Sequence, residues 1–296
     1  MKEQLRKEDL VNDLKKIGIK EGDLLHMKVS MKAIGNVEGG AKTLLDALLE
    51  IIGPEGTLIS DAFVSVYPLP LTKEQENIIA DDNTFSYAGA FANEMIKHPL
   101  MKRSRHPIQK FAAIGKRAEE FCYAHNYESG GYDLLDKMTE AGGVNLTIGE
   151  KVAGVGTTHV AIDILGFKRK QLNTGALYKD LDGSVKLAKV NWNGGCAHGF
   201  PKFIPLYHEQ GAVLGSGKVG NAIGLYTSMQ KTLQIEIETL KKNPQFFFCD
   251  DKTCYSCQMT WEHSPKKKIR FYYNWLKKNF KNLSFSRIKN LTKTIS

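Results

Sequence analysis

Residues 24–64 read LLHMKVSMKAIGNVEGGAKTLLDALLEIIGPEGTLISDAFV and contain two short apolar runs on either side of an amphipathic segment. The runs LLHMKV and TLISDAFV have strand length, whereas AKTLLDALLEII repeats apolar residues at helical spacing and ends at a Gly-Pro pair. A strand, a helix and a second strand favour parallel pairing in one sheet, because the helix supplies the long crossover that parallel strands need. The stretch therefore predicts an α/β fold.

The same alternation of helical and strand patterns continues along the chain. Helical spacing predicts helices over residues 5–17, 85–98, 116–126, 132–141 and 223–243, and short apolar runs predict strands over 109–115 and 143–149. We expect a mixed β-sheet flanked by helices on both faces, which is a three-layer sandwich. No repeat or linker interrupts it, so we predict one domain over residues 1–245 and a Cys-containing, basic helical extension over residues 246–296.

The positive charge of the chain is concentrated at its C-terminal end. The net charge of the chain is +9, yet residues 264–296 alone hold ten Lys or Arg and no acid. Residues 1–263 therefore have a net charge of −1. We therefore do not expect nucleic acid as a partner of the body. The tail interleaves aromatic and basic residues, a composition that fits contact with a membrane surface, a nucleic-acid arm, or a solvated helix packed on the body.

The sequence favours a cytoplasmic protein. No apolar run approaches the roughly 20 residues of a membrane helix, the N-terminus is charged from its start, and the odd count of five cysteines favours reduced thiols. The basic tail leaves open a peripheral position at the inner face of the membrane. A homo-oligomer is also left open.

The extension contains a set of metal-ligating residue types. Cys249, Cys254, Cys257 and His263 offer four ligands, and the last two cysteines have CxxC spacing. A second CxxC pair is missing, so we favour free buried thiols over zinc at this point.

The segment GEKVAGVGTTHVAID, residues 149–163, is the strongest candidate for a chemical role. It is not a Walker A loop, because Val155 stands where Lys is required, and it is not a dinucleotide fingerprint, because His159 stands where the third Gly is required. Thr157 or Thr158 is the expected N-cap, with His159 in the first turn and Asp163 at i+4 on the same face. That pair suits acid-base chemistry, but a histidine satisfied by a local hydrogen bond is the simpler interpretation of the residue types alone.

From about residue 5 to residue 245 the chain resembles the aminoglycoside 3-N-acetyltransferase (antibiotic N-acetyltransferase) family. The resemblance is carried by GIKEGDLLHMKVSMKAIGNVEGGAKTLLDALLEIIGPEGTLISDAF, by RSRHPIQKFAAIGKRAEEF and by GKVGNAIG, in the family's order. Alignment without a gap from Lys137 onward places His159 on the family's catalytic histidine, which acts as a general base. The family has a glutamate at i+3, where this chain has Ile162, and we carry its role to Asp163.

The resemblance implies acetyl-CoA as the donor and direct transfer of the acetyl group. Lys28, Val29 and Ser30 stand where the family has His, Ser and Ser, and Lys32 stands where it usually has Arg. The resemblance further implies CoA contacts in a second segment, through Arg103, Ser104, His106 and Pro107.

For the acceptor, the resemblance implies an amino sugar. Thr158, with the carboxylates Asp61 and Asp133, is a candidate on the acceptor side, and His198 and Lys202 add positive character there. We favour a nucleotide-linked amino sugar of bacterial surface-glycan (O-antigen, lipopolysaccharide) synthesis. The alternatives are an aminoglycoside and, from another class, a non-catalytic module that binds nucleic acid or membrane.

Overall fold

The computed structural model describes residues 4–149, 154–169, 171–191, 195–262 and 268–280. The α-helices in these ranges are α1 (Lys7–Ile17), α2 (Met31–Ile34), α3 (Ala41–Ile52), α4 (Ala90–Lys97), α5 (Ala118–Ala124), α6 (Asp133–Glu140), α7 (Thr157–Ile164), α8 (Ile204–Glu209), α9 (Met229–Lys242), α10 (Tyr255–Met259) and α11 (Lys268–Asn279), with 3-10 helices at Gln75–Asn77 and Phe200–Phe203. The strands are β1 (Leu24–Val29), β2 (Thr57–Asp61), β3 (Tyr67–Pro68), β4 (Ile79–Ala80), β5 (Lys102–Arg103), β6 (Phe111–Gly115), β7 (Val144–Ile148), β8 (Gln171–Lys179), β9 (Val185–Asn191), β10 (Val213–Val219) and β11 (Ala222–Ser228).

A seven-stranded mixed sheet forms the centre of the fold, in the order β10-β11-β7-β1-β2-β6-β5. Strand β1 pairs in parallel with β2 on one side and with β7 on the other. The outer pairs, β2 with β6, β6 with β5, β7 with β11 and β11 with β10, are antiparallel. The parallel pair predicted from residues 24–64 is therefore confirmed, and it lies at the middle of the sheet.

Helices cover both faces of this sheet, and β1 sends apolar side chains to both of them. Leu25 and Met27 of β1 are fully buried in a cluster with side chains of α1, α3 and α4. Leu24 points the other way, into a cluster with side chains of α5, α6, α7 and α9. The predicted three-layer arrangement is confirmed.

One predicted helix is partly a strand. Residues 223–243 were expected to form one amphipathic helix, but residues 222–228 are β11 and the helix begins at Met229. The backbone of β11 pairs with β7 on one side and with β10 on the other, so sheet hydrogen bonds replace helical ones. Ser228 caps the helix, since its Oγ accepts a hydrogen bond from the N–H of Lys231.

Two further parts pack beside the main sheet. Strands β3, β4, β8 and β9 form a second, four-stranded sheet that the sequence patterns did not indicate. Phe247 and Trp261 of the C-terminal extension are fully buried in one cluster with Ala161 of α7 and Ile235 of α9.

Within the described ranges, no helix has the length and apolar character needed to span a bilayer.

Candidate active site

A row of polar side chains crosses the sheet toward the carboxyl ends of its parallel strands. Nδ1 of His26 lies 2.8 Å from Oδ1 of Asn145, and Nε2 of His26 lies 3.0 Å from Oδ1 of Asp61. Nζ of Lys28 lies 3.3 Å from the other oxygen of Asp61. Burial favours the neutral carboxyl, but Lys28 and His26 outweigh it and hold the pKa of Asp61 well below its usual value. Asp61 is therefore a largely buried anion that already has two partners.

A glycine turn brings α7 to the same edge of the sheet. Gly154 and Gly156 have positive φ values of 63° and 93°, which L side chains rarely adopt. A Cβ on Gly156 would also lie 3.1 Å from Cε1 of His26 and 3.0 Å from Cδ1 of Leu135. The glycines thus let the chain pass close over His26 before the helix begins, which places His159 near Asp61.

His159 lies between two aromatic rings and is 7% exposed. The ring of Tyr132 stacks on the imidazole at a centroid distance of 4.1 Å and an angle of 3°, and Phe200 packs edge-on at 5.0 Å. Burial lowers the pKa of His159 well below its usual value, and the cations Arg169 and Lys28 lower it further. The imidazole is therefore neutral at pH 7, which is the form that accepts a proton.

The carboxylate of Asp163 reaches His159 only through an arginine. Nη1 of Arg169 donates to Oδ1 of Asp163 at 2.6 Å, and Nη2 of Arg169 lies 3.4 Å from Nδ1 of His159. The expected direct hydrogen bond between Asp163 and the imidazole is thus replaced by a guanidinium bridge in the part of the chain described. The reason is electrostatic, because the buried side chain of Arg169 carries a full charge that Asp163 neutralises.

The two threonines before His159 bond to α9 instead of capping α7. Gly156 is the N-cap residue, so the predicted cap at Thr157 or Thr158 is wrong by one position or more. Oγ1 of Thr157 bonds Oγ1 of Thr232 at 2.9 Å, and Oγ1 of Thr158 donates to Oε1 of Glu236. These hydroxyls are fully buried, and the polar groups of α9 are the partners within their reach.

Glu236 is a buried acid that the sequence patterns did not reveal. Its Oε1 accepts hydrogen bonds from Thr158 and from the hydroxyl of Tyr207. Burial raises the pKa of Glu236 to about 7, although the hydroxyls of Thr158 and Tyr207 oppose the rise. Helical spacing could have indicated that Glu236 is buried. Glu236 follows Thr232 by four residues and precedes Leu240 by four, so all three lie on the buried face of α9.

The second expected CoA segment is held by internal hydrogen bonds. Arg103 donates to the carbonyl oxygens of Asp82, Thr84 and Ala62. Oγ of Ser104 accepts from the N–H of Phe111, and Nδ1 of His106 accepts from the N–H groups of residues 108 and 109. Pro107 is buried. These side chains, which were expected to contact CoA, are occupied in fixing the loop, because each buried donor or acceptor requires a partner.

The residues of the first expected CoA segment lie at the end of β1 and the start of α2. Val29 and Ser30 are half-buried, and Ser30 is the N-cap residue of α2. Lys32 is exposed, whereas Lys28 is paired with Asp61. Among the described residues no ion pair involves Lys32, so its exposed ammonium can serve a phosphate group.

The remaining acceptor-side candidates differ in their availability. Asp133 is exposed and accepts one hydrogen bond from the N–H of Gly130. His198 is exposed as well. Lys202 is bound to the extension, since its Nζ donates to the carbonyl of Phe248 at 2.8 Å and to Asp250 at 3.2 Å. The expectation that Lys202 faces an acceptor therefore does not fit its position, because its ammonium is used within the chain.

Three of the four candidate zinc ligands lie together. Cys249, Cys254 and Cys257 are clustered, and Cys196 joins them as a fourth cysteine. His263 lies outside the described residues.

Comparison with known proteins gives a consistent result. Residues 24–241 match the sequence model of the family described as aminoglycoside 3-N-acetyltransferase. Aminoglycoside N(3)-acetyltransferase III of Salmonella sp is 28% identical over 172 residues, which cover 53% of this chain and 60% of that protein. Aminoglycoside N(3)-acetyltransferase IX of Micromonospora chalcea is 32% identical over 130 residues, which cover 40% of this chain and 46% of that protein. In both comparisons the chain spans less than two thirds of the relative's length.

Solved structures share the fold. A structure described as AAC-IIIb binary with CoASH has a TM-score of 0.70 at 20% identity, covering 81% of this chain and 97% of its own. The YokD protein of Bacillus subtilis has a TM-score of 0.72 at 21% identity, covering 82% of this chain and 96% of its own. At these identities the likeness establishes the arrangement of helices and strands.

Proposed function

The chain belongs to the aminoglycoside 3-N-acetyltransferase family, and from that premise we propose that it transfers an acetyl group from acetyl-CoA to the amine of an amino sugar. The observation that carries the proposal is the state of His159, a neutral imidazole packed between Tyr132 and Phe200 beside the carboxyl ends of the parallel strands. Ligands bind at that edge in open α/β sheets. The described complex of AAC-IIIb with CoASH supports CoA as the acetyl carrier.

The reaction needs one proton acceptor and no covalent enzyme intermediate. The amine nitrogen attacks the thioester carbonyl, a C–N bond forms and the C–S bond breaks. The lone pair of His159 takes the proton that the amine loses, and the departing CoA thiolate receives a proton in return. Arg169 keeps the imidazole in its neutral form by opposing a second positive charge next to it.

The CoA phosphates would bind near the N-terminus of α3. Its first turn follows Gly39 and Gly40, and the N–H groups there, with the exposed ammonium of Lys32, offer positive potential to an anion. In this proposal Val29 and Ser30 line the site by their backbone. Arg103, Ser104, His106 and Pro107 act on it by holding the neighbouring loop.

For the acceptor we favour a neutral or anionic amino sugar, of which nucleotide-linked amino sugars of surface-glycan synthesis are the clearest class. The cations Arg169 and Lys28 both lower the pKa of His159, and their effect would also oppose a polycation beside it. Asp163 balances the charge of Arg169, and Asp61 balances the charge of Lys28. An aminoglycoside is the second candidate, supported by the family and by the partly exposed carboxylates of Asp133 and Asp163.

The acceptor class is tested by measuring release of the CoA thiol from acetyl-CoA with two panels of acceptors. One panel holds UDP- and dTDP-linked amino sugars, and the other holds aminoglycosides. We expect turnover with nucleotide-linked amino sugars. Turnover with aminoglycosides alone would move the assignment to the second candidate, and no turnover with either panel would contradict the proposed reaction.

A further inference from the structure

Four cysteines from two distant segments meet behind the site. Cys196 precedes the 3-10 helix Phe200–Phe203, and Cys249, Cys254 and Cys257 belong to the C-terminal extension. All four Sγ atoms lie within 4.8 Å of one another. Sγ of Cys254 lies 3.6 Å from Sγ of Cys196, and Sγ of Cys257 lies 3.7 Å from Sγ of Cys249.

These separations fit one tetrahedral ion at the centre of the cluster. Zinc binds thiolate sulfur at about 2.3 Å, and the tetrahedral angle then separates two sulfurs by about 3.8 Å. A disulfide instead needs a sulfur–sulfur distance of about 2.05 Å. The two measured distances agree with the first geometry, and the four thiols form the all-cysteine ligand set that structural zinc sites use.

The backbone around the cluster is arranged as in a metal-binding turn. The N–H of Cys249 donates to Sγ of Cys257 at 3.3 Å, a contact that orients a sulfur ligand. Cys254 is the N-cap residue of α10 and Cys257 lies three residues later, so the helix presents both on one side. The side chain of Asp251 accepts hydrogen bonds from the N–H and the hydroxyl of Thr253, which fixes the turn between Cys249 and Cys254.

We propose that Cys196, Cys249, Cys254 and Cys257 bind one structural zinc ion, which joins the C-terminal extension to the loop before Phe200. The fourth ligand is Cys196, which is distant in sequence, and not the nearer His263. Because the site closes with four protein ligands, its role is structural and not catalytic. The proposal does not depend on the reaction assigned to His159.

The site would fix one wall around His159. Phe200 follows Cys196 by four residues and packs on the imidazole. Trp261 follows Cys257 by four residues, and the guanidinium carbon of Arg169 lies 5.0 Å from its ring centroid. A Cβ on Gly199 would overlap the carbonyl oxygen of Phe247, so the two joined segments pack backbone against backbone. Zinc would hold these segments together.

The test is the metal content of the full-length protein, purified without chelator and measured by inductively coupled plasma mass spectrometry. We expect one zinc per chain in the natural sequence and in two controls, Cys122→Ser and His263→Ala. Cys122 is a buried cysteine outside the cluster, so the same substitution is made without touching the proposed ligands. Zinc should fall several-fold or more in Cys196→Ser and in Cys254→Ser.

A second measurement covers the case in which these two variants fail to fold. Cobalt replacing zinc in the natural sequence should give the strong visible absorption of a tetrahedral tetrathiolate ion. Two disulfides by intact mass, four free thiols without metal, or iron in place of zinc would each overturn the proposal. So would a chain that keeps zinc in Cys196→Ser and loses it in His263→Ala.

Discussion

The guanidinium of Arg169 lies 3.4 Å from Nδ1 of His159, in the place where a carboxylate was expected. The positive charge of the guanidinium beside the imidazole disfavours protonation of the ring, in addition to the effect of burial. Asp163 binds the other side of the guanidinium. The charge beside the proposed base is thus set by an arginine and an aspartate together.

Replacing Arg169 by Gln should make His159 more basic. The positive charge of Arg169 lowers the pKa of His159, so its removal raises that pKa and converts more of the imidazole to the protonated form at a given pH. We expect the acid limb of the pH dependence of kcat/KM to move to higher pH. The measurement is CoA thiol release over a pH series. Arg169→Lys, which keeps the charge, should stay near the natural profile, and an unmoved limb in Arg169→Gln would contradict this role.

Replacing Glu236 by Gln should remove a pH dependence of stability. Burial raises the pKa of Glu236 from 4.5 to about 7 in the folded chain, so the folded state holds an extra proton between these values. The contribution of this proton to the free energy of unfolding is fully present below about pH 4.5 and is lost as the pH rises through about 7. A shift of this size corresponds to about 3 kcal/mol of unfolding free energy.

The measurement for Glu236 is urea unfolding at about pH 5 and about pH 8. Gln keeps an oxygen that can accept from Thr158 and Tyr207, so the variant should fold and should lose less stability over this range than the natural sequence. Glu238→Gln on the exposed side of α9 is the matched control and should retain the natural pH dependence. Equal slopes for the natural chain and Glu236→Gln would contradict the raised pKa.

Replacing Asp61 by Asn should destabilise the chain. The substitution removes the anion that balances Lys28 and bonds His26, and it leaves a largely buried ammonium without its partner. Breaking a buried pair in this way costs about 3 kcal/mol or more. Because the pKa of Asp61 is depressed, the stability it provides is present above its unfolded pKa and is lost as the pH falls. Lys116→Met, which breaks the exposed pair with Glu55, should cost about 1 kcal/mol at most in the same urea experiment.

Replacing Lys202 by Met should weaken the extension and leave the acceptor site unchanged. The ammonium of Lys202 bonds the carbonyl of Phe248 and the carboxylate of Asp250. We expect a loss of about 1 kcal/mol in unfolding free energy, with KM for the acceptor within about twofold of the natural value. A several-fold rise in acceptor KM without a loss of stability would return Lys202 to the acceptor site.

The sequence predicted the central features of the fold because they depend on local patterns. The strand-helix-strand unit of residues 24–64 is contained in 41 consecutive residues, and its apolar spacing decides its form. The boundary between β11 and α9 could not be read in this way. Residues 222–228 become a strand because β7, more than 70 residues earlier, offers its edge to them.

The same distinction applies to the site. His159 was proposed from its motif. Arg169, which lies against His159, and Glu236, which bonds the neighbouring Thr158, come to the site through tertiary contacts that have no fixed spacing. Cys196 joins three cysteines that follow it by more than 50 residues, so the fourth sulfur of the cluster was not apparent from the CxxC pattern. Spacing identifies partners on one element, and the fold determines partners from different elements.

The most direct test of the account is acetyl transfer by His159→Gln, measured as CoA thiol release with the best acceptor of the natural sequence. Gln keeps a polar side chain of similar size but cannot take the proton. We expect kcat to fall by about a hundredfold or more, with KM for acetyl-CoA nearly unchanged and a folded chain by circular dichroism. A folded His159→Gln chain that keeps kcat within about threefold would contradict the assignment of His159 as the base.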